Sequence, residues 1–101
     1  DALPICEVMI EVVGDTLRVS GAMVITSAAE LRASGAAAIA DGASTVDLSA
    51  VSDADSAAVA LLLAWLREAQ EQGRELSIVH APDNIRSLAT LYGVAELLPL
   101  A

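Results

Sequence analysis

A chain of 101 residues fits one domain and leaves little room for a second. Its formal net charge is −9, and its five Lys and Arg residues are too few for the basic patch that nucleic acid or an anionic lipid surface requires. More than half of the residues are hydrophobic and none is phenylalanine, which predicts a core of aliphatic side chains.

The first part of the chain predicts a β-hairpin followed by a helix. Residues 5–13 are rich in β-prone side chains that partly alternate with polar ones, and Gly14-Asp15 is a hairpin signal. Residues 16–21 then predict a second, antiparallel strand. The alanine-rich segment 26–40 predicts a helix that starts at a Thr or Ser cap. Gly35 inside it costs about 1 kcal/mol relative to alanine, and a close approach of the backbone to the sheet would explain its presence.

Two strand–helix units follow. Residues 45–49 predict a short central strand, and Ser52, Asp53 and Asp55 predict an acidic turn after it. A helix is predicted from Ser56 to Gln72, because Gly73 is a suitable residue to end it. Residues 75–80 predict a further strand, and residues 82–92 predict a last helix.

Apolar residues at helical spacing predict that both later helices turn one face to the core. These residues are Val59, Leu62, Leu63 and Leu66 in the first helix, and Ile85, Leu88, Ala89 and Tyr92 in the second. The closing segment, residues 94–101, predicts a short edge strand or turn. The order β-β-α-β-α-β-α predicts a single α/β domain over residues 1–101, with a mixed sheet, an opening hairpin and about three helices packed mainly on one side.

The residue types and their spacing do not favour catalysis or metal binding. His80 is the only histidine, and no G-x-S-x-G elbow surrounds Ser56, so a hydrolase is not favoured. One Cys and one His cannot build a zinc site, and Asp53 with Asp55 is better explained by helix capping than by cation binding. No phosphate-binding glycine motif is present. We therefore expect a protein without enzymatic activity, cofactor or metal.

Ser56 lies where the acidic turn meets the apolar helix, and three interpretations of it stay open. Its hydroxyl can satisfy a free N–H group at the helix start, which is a purely structural role. The small residues Ala57 and Ala58 can allow another protein to approach the hydroxyl closely. Phosphorylation is the third, and it would add nearly two negative charges beside Asp53 and Asp55, which would break an interface rather than make one.

Several segments together resemble the STAS domain, the fold of anti-sigma-factor antagonists and of sulfate-transporter tails. The resemblance runs from about Leu17 to Pro99 and rests on TVDLSAV, SDADSAA, VALLLAWLREAQEQG and PDNIRSLATLYGVAELLP. It is strongest to the small STAS subunit of the Mla-type phospholipid-transport ABC system of Gram-negative bacteria. The features that favour this branch are VDLS followed by Asp-Ser, the Leu-rich helix ending in Gln-Gly, and LATLYGV near the C-terminus.

The resemblance implies that Ser56 is the key position. In the antagonist branch a partner kinase phosphorylates this hydroxyl, whereas in the transport branch it faces the ABC ATPase subunit. Asp55 would cap and orient the helix, with a rim made of Ser52, Asp53, Ala57 and Ala58. Ala58 stands where glycine is common, and its methyl group would narrow the approach of a partner. Trp65 is a candidate extension of this surface, although a place at the edge of the core is favoured for it.

The resemblance also implies a place in a larger assembly. The chain would bind the ATPase of an ABC complex that contains a membrane permease and a periplasmic lipid-binding subunit. It would be cytoplasmic and peripheral to the inner membrane through that partner, without inserting into the membrane and without binding nucleic acid. Its role would be to regulate phospholipid transport that maintains outer-membrane lipid asymmetry. The alternative is an anti-sigma-factor antagonist switched by phosphorylation of Ser56.

Overall fold

The computed structural model describes residues 9–94, and the predicted order of strands and helices is confirmed in it. The elements are β1 (Met9–Val13), β2 (Thr16–Met23), α1 (Ala28–Ala40), β3 (Thr45–Ala54), α2 (Ser56–Glu71), β4 (Ser77–Val79) and α3 (Asp83–Leu91). The predicted start of the first strand, residues 5–8, and the closing segment after Val94 lie outside the described residues.

The four described strands form one mixed sheet in the order β1-β2-β3-β4. β1 and β2 are antiparallel and are joined by the predicted turn, in which Gly14 takes a φ of 64° that suits glycine. β2, β3 and β4 are parallel, and β3 lies inside the sheet as predicted.

The two faces of the sheet have different surroundings. Leu17, Val46 and Ile78 are register partners across β2, β3 and β4, and all three are fully buried. The next register row contains Arg18 and Asp47, which face the opposite side. Since side chains alternate along a strand, the helices cover one face of the sheet and leave the other open, as the sequence predicted.

β3 is longer than the sequence predicted. Ser52 and Asp53 were expected in a turn, but they belong to this strand. The reason is sheet pairing, because Asp53 pairs with Ala22 and Ala54 pairs with Met23 of β2. This pairing overrides the low strand propensity of serine and aspartate.

The buried side of α2 differs from the predicted stripe. Val59 and Leu62 are buried, while Leu63 and Leu66 are only partly covered. Trp65 is 0% exposed and donates from Nε1 to the carbonyl oxygen of Arg32 in α1 at 3.3 Å. The candidate role of Trp65 in a partner surface is therefore wrong, because α1 covers its side chain.

Gly35 explains how α1 can lie so close to α2. A Cβ at this position would overlap with the indole ring of Trp65. The close approach predicted for Gly35 is thus real, but it is made to α2 and not to the sheet. In α3, Ile85 and Ala89 are buried as predicted, whereas Tyr92 is the C-cap residue and is 55% exposed.

Candidate functional site

The candidate site lies where β3 ends and α2 begins, and Asp55 organises it. Asp55 is the N-cap of α2, with its Oδ1 accepting from the backbone N–H of Ala57 at 2.8 Å. Its Oδ2 accepts from the backbone N–H of Ile25, in the β2–α1 loop of residues 24–27, at 3.1 Å. Its own N–H donates to the carbonyl oxygen of Met23 at 3.3 Å. The predicted capping role of Asp55 is confirmed, and the same carboxylate also fixes the neighbouring loop.

Ser56 is the first residue of α2, and its side chain is exposed. Its hydroxyl makes no hydrogen bond within residues 9–94. Because Asp55 already supplies the N-cap, the capping interpretation of Ser56 does not hold. A free hydroxyl on a helix start that a neighbour holds rigid is available to a partner or to a modifying enzyme.

The predicted rim is only partly on the surface. Ser52 and Asp53 are exposed at the end of β3, and Asp53 accepts from the next backbone N–H, that of Ala54, at 2.9 Å. Ala57 is half-buried. Ala58 is 0% exposed, so the prediction that it belongs to the rim is wrong. Its methyl group points into the core and cannot narrow the approach of a partner.

We call the residues that remain the Ser56 surface, and they are Ser52, Asp53, Asp55, Ser56 and Ala57. Shallow grooves flank it on both sides of α2. The groove toward α1 is lined mainly by alanines, with Arg32 at its edge. The groove toward α3 is lined by Ser56, Val59, Ala60, Leu63, Tyr92 and Val94.

Sequence reasoning missed Ile25, whose side chain is 76% exposed beside Asp55. The only signal was that the apolar run Met23-Val24-Ile25 ends at Ile25, directly before Thr and Ser at a predicted helix start. It also missed Leu63 and Tyr92 as groove residues. Both belong to the predicted core stripes, because periodicity alone does not tell which side of an apolar stripe the neighbouring helices leave open.

Residues 6–99 match the protein family described as "Mlab, STAS domain". The chain belongs to the STAS family. The match covers both the Ser56 surface and the helices that flank it, and no curated protein matches the chain.

Solved structures show the same fold as this STAS domain. An anti-sigma factor antagonist from Mycobacterium paratuberculosis has a TM-score of 0.74 at 23% identity, over 93% of this chain and 83% of that one. The anti-sigma factor antagonist SpoIIAA in its unphosphorylated form has a TM-score of 0.70 at 22% identity, over 94% and 88%. The Bacillus cell fate determinant SpoIIAA in its phosphorylated form has a TM-score of 0.66 at 22% identity, over 94% and 91%. The expected α/β STAS fold is therefore confirmed.

His80 of this STAS domain lies far from Ser56. It follows β4, whose Val79 pairs with Asp47, and β3 continues for seven residues from there to Ala54. At about 3.3 Å per strand residue, His80 and Ser56 are separated by roughly 20 Å. A hydrolytic pair of these two side chains is excluded, because a nucleophile and its base must lie within hydrogen-bonding distance.

A separate charged group occupies the open face of the sheet. Asp47 Oδ2 lies 3.8 Å from Arg18 Nε, and Asp47 Oδ1 accepts from the backbone N–H of Ser49 at 2.9 Å. Burial raises the pKa of Asp47, but the hydrogen bonds from Ser49 and the charges of His80 and Arg18 outweigh it and hold the pKa below its ordinary value of 3.8. These contacts stabilise the ionised carboxylate and pair it internally.

Two features are absent from residues 9–94 of the STAS domain. Over this range no group of three or more His, Cys, Asp and Glu side chains is arranged to hold a metal ion. The helices described there are too short or too polar for any of them to cross a membrane.

Proposed function

We propose that this STAS domain is a regulatory subunit without enzymatic activity that binds the ATPase of a phospholipid-transport ABC complex. The observation that carries the proposal is Ser56. Its hydroxyl is exposed and makes no hydrogen bond within residues 9–94, although it stands on a helix start that Asp55 fixes. A serine that only stabilised the helix would use its hydroxyl as Asp55 uses its carboxylate.

The surroundings of Ser56 suit a protein partner better than a small ligand. Protein interfaces combine an apolar centre with a polar rim. Ser56 has apolar grooves on either side, and Ser52 and Asp53 supply polar groups at the edge. Both grooves are shallow and open, whereas small-molecule sites are concave and enclose most of the ligand.

The family match and the sequence resemblance support the transport assignment. The matching family carries the description Mlab, and the segments around Ser56 resemble the STAS subunit of the Mla-type system. In the proposed assembly the chain sits in the cytoplasm on the ATPase. The ATPase drives a membrane permease joined to a periplasmic lipid-binding subunit, and the complex maintains outer-membrane lipid asymmetry.

The test is co-purification of the chain with the ABC ATPase encoded nearest to it, followed by measurement of ATP hydrolysis. Ser56→Glu adds charge and bulk at the proposed contact. Ser87→Glu is the matched control, because Ser87 is an exposed helical serine on α3 and outside the Ser56 surface.

We expect the wild type and Ser87→Glu to co-purify with the ATPase and raise its activity, and Ser56→Glu to do neither. If Ser56→Glu binds as well as the wild type, the contact lies elsewhere on the domain. If the wild type binds no ATPase, the transport proposal fails.

The second candidate is an anti-sigma-factor antagonist switched by phosphorylation of Ser56. It is favoured by the accessible hydroxyl at a helix N-terminus, a position where the helix dipole stabilises a phosphate. It is also favoured by fold neighbours whose structures are described as unphosphorylated and phosphorylated forms.

This candidate is tested by incubating the chain with ATP and an anti-sigma-factor kinase encoded near it. Mass spectrometry would then locate the phosphate. Phosphate on Ser56 in the wild type, and its absence from Ser56→Ala, would support the antagonist function. A chain that stays unmodified would contradict it.

A further inference from the structure

Ile25 differs from the other exposed apolar residues of the described chain in how it is held. Its backbone N–H donates to Asp55 Oδ2 at 3.1 Å, while the other oxygen of that carboxylate caps α2 at Ala57. One carboxylate therefore fixes both the loop that presents Ile25 and the helix start that presents Ser56.

The β2–α1 loop is further fixed by Ser27. Its hydroxyl donates to the carbonyl oxygen of Ala22 at 2.8 Å and accepts from the N–H of Val24 at 3.1 Å. The N–H of Ser27 donates to the carbonyl oxygen of Val24 at 2.9 Å. Yet the side chain at the tip, Ile25, is 76% exposed. An apolar side chain on a loop that is already ordered loses little conformational entropy on binding, which suits an interface anchor.

The charges around Ile25 indicate the chemistry of the partner. Segments 24–30 and 52–57 contain three acidic residues, Glu30, Asp53 and Asp55, and the basic residue nearest to them in the sequence is Arg32, at the edge of the groove toward α1. Glu30 and Asp53 are exposed. A partner surface that covers this region must therefore offer positive charge around an apolar centre, because like charges in an interface are costly.

We infer that Ile25 is the apolar anchor of the interface centred on Ser56, and that it inserts into an apolar socket flanked by Lys or Arg side chains on the ATPase. Asp55 is the positioning residue that holds Ile25 beside Ser56. The inference rests on the proposed function for the identity of the partner.

The test is the dissociation constant of the intact chain for the ATPase, measured for Ile25→Asp and for Leu91→Asp. Leu91 is a matched control because it is 74% exposed on α3 and lines neither groove beside the Ser56 surface. We expect Ile25→Asp to weaken binding at least tenfold and Leu91→Asp to change it less than twofold. Circular dichroism would verify that both variants are folded.

The outcomes separate this inference from the proposed function. If the wild type binds and Ile25→Asp binds equally well, Ile25 is not an anchor of the interface, while the ATPase remains the partner. If the wild type binds no ATPase, the proposed function fails and the inference fails with it. If binding weakens several-fold between 50 mM and 500 mM NaCl, this supports the Lys or Arg side chains proposed around the socket on the ATPase. If binding does not change with salt, those basic side chains are overturned.

A double-mutant cycle tests the positioning role of Asp55. If Asp55 acts through Ile25, Asp55→Ala should weaken binding in the wild type but much less in the Ile25→Ala background. Hydrogen exchange at the Ile25 amide of the free Asp55→Ala protein should be at least tenfold faster than in the wild type. Additive losses of affinity, or unchanged exchange, would overturn the positioning role.

Discussion

The backbone of Gly35 in α1 lies directly against the indole ring of Trp65 in α2. The ring is fully buried, and its Nε1 donates to the carbonyl oxygen of Arg32 one turn earlier in α1. A glycine notch and the largest side chain of the core thus join the two helices. Because α2 also begins at Ser56, this contact helps to position the candidate site.

Gly35→Ala should destabilise the domain by about 1–2 kcal/mol, because overpacking against a fixed ring outweighs the helix propensity that alanine gains. Urea unfolding followed by the fluorescence of Trp65, the only tryptophan of the chain, measures the effect directly. Ser34→Ala is the control, since Ser34 is exposed in the same helix. This variant should be slightly more stable than the wild type, because alanine has the higher helix propensity. A Gly35→Ala protein as stable as the wild type would contradict the close contact between Gly35 and the Trp65 ring.

Asp55→Ala should lower the free energy of unfolding by about 1–2 kcal/mol, because α2 loses its cap and the Ile25 N–H loses its acceptor. Asp53→Ala should change it by less than about 0.5 kcal/mol, since the Asp53 carboxylate accepts only from the adjacent N–H of Ala54. Thermal unfolding of the two variants makes the comparison. Equal losses would mean that Asp55 has no special role.

Arg74 should stabilise the C-terminal end of α1. Its Nη2 donates to the carbonyl oxygens of Ile39 at 2.6 Å and Ala40 at 3.2 Å in the last turn of the helix, where a positive charge is favourable. The Ile39 oxygen also accepts from the backbone N–H of Gly42 at 3.0 Å. We expect Arg74→Ala to cost about 1 kcal/mol in urea unfolding. Arg67→Ala, at an exposed position on α2, is the control and should be nearly neutral. If both variants lose the same stability, the loss comes from removing a positive charge and not from removing the hydrogen bonds of Arg74 to the end of α1.

Asp47→Asn should make stability depend less on pH. The pKa of Asp47 in the folded chain lies below its ordinary value of 3.8, so its ionised form contributes stability that is present above that value and lost as pH falls through the folded pKa. The variant should be less stable than the wild type by about 1 kcal/mol at pH 7, and the difference should disappear in acid. Urea unfolding between pH 7 and pH 2.5 measures it. A difference that is constant over this range would contradict the internal pairing of Asp47.

Most of the fold was predictable because its signals are local. The Gly14-Asp15 turn, the glycines that follow α2 and α3, and the apolar runs determine where elements begin and end. The extension of β3 through Ser52 and Asp53 was not predictable, because it depends on pairing with Ala22 and Met23, which are distant in the sequence.

The candidate site was predictable at its centre and not at its edges. The step from acidic residues to an apolar helix indicated Ser56 and Asp55. The exposure of Ile25 and the burial of Ala58 could not be predicted. Both depend on how the β2–α1 loop and the two helices pack around α2, and no local pattern records that packing.

The most direct test of the central claim is hydrogen exchange of the intact chain with and without the ATPase, read by mass spectrometry at peptide resolution. It needs no substitution, and it reports which backbone segments a partner covers. We predict that binding slows exchange in residues 24–30 and 52–60, and leaves β1 and the exposed side of α3 unchanged. Slowing confined to β1 or α3, with residues 52–60 unaffected, would contradict the claim that Ser56 lies at the centre of the interface.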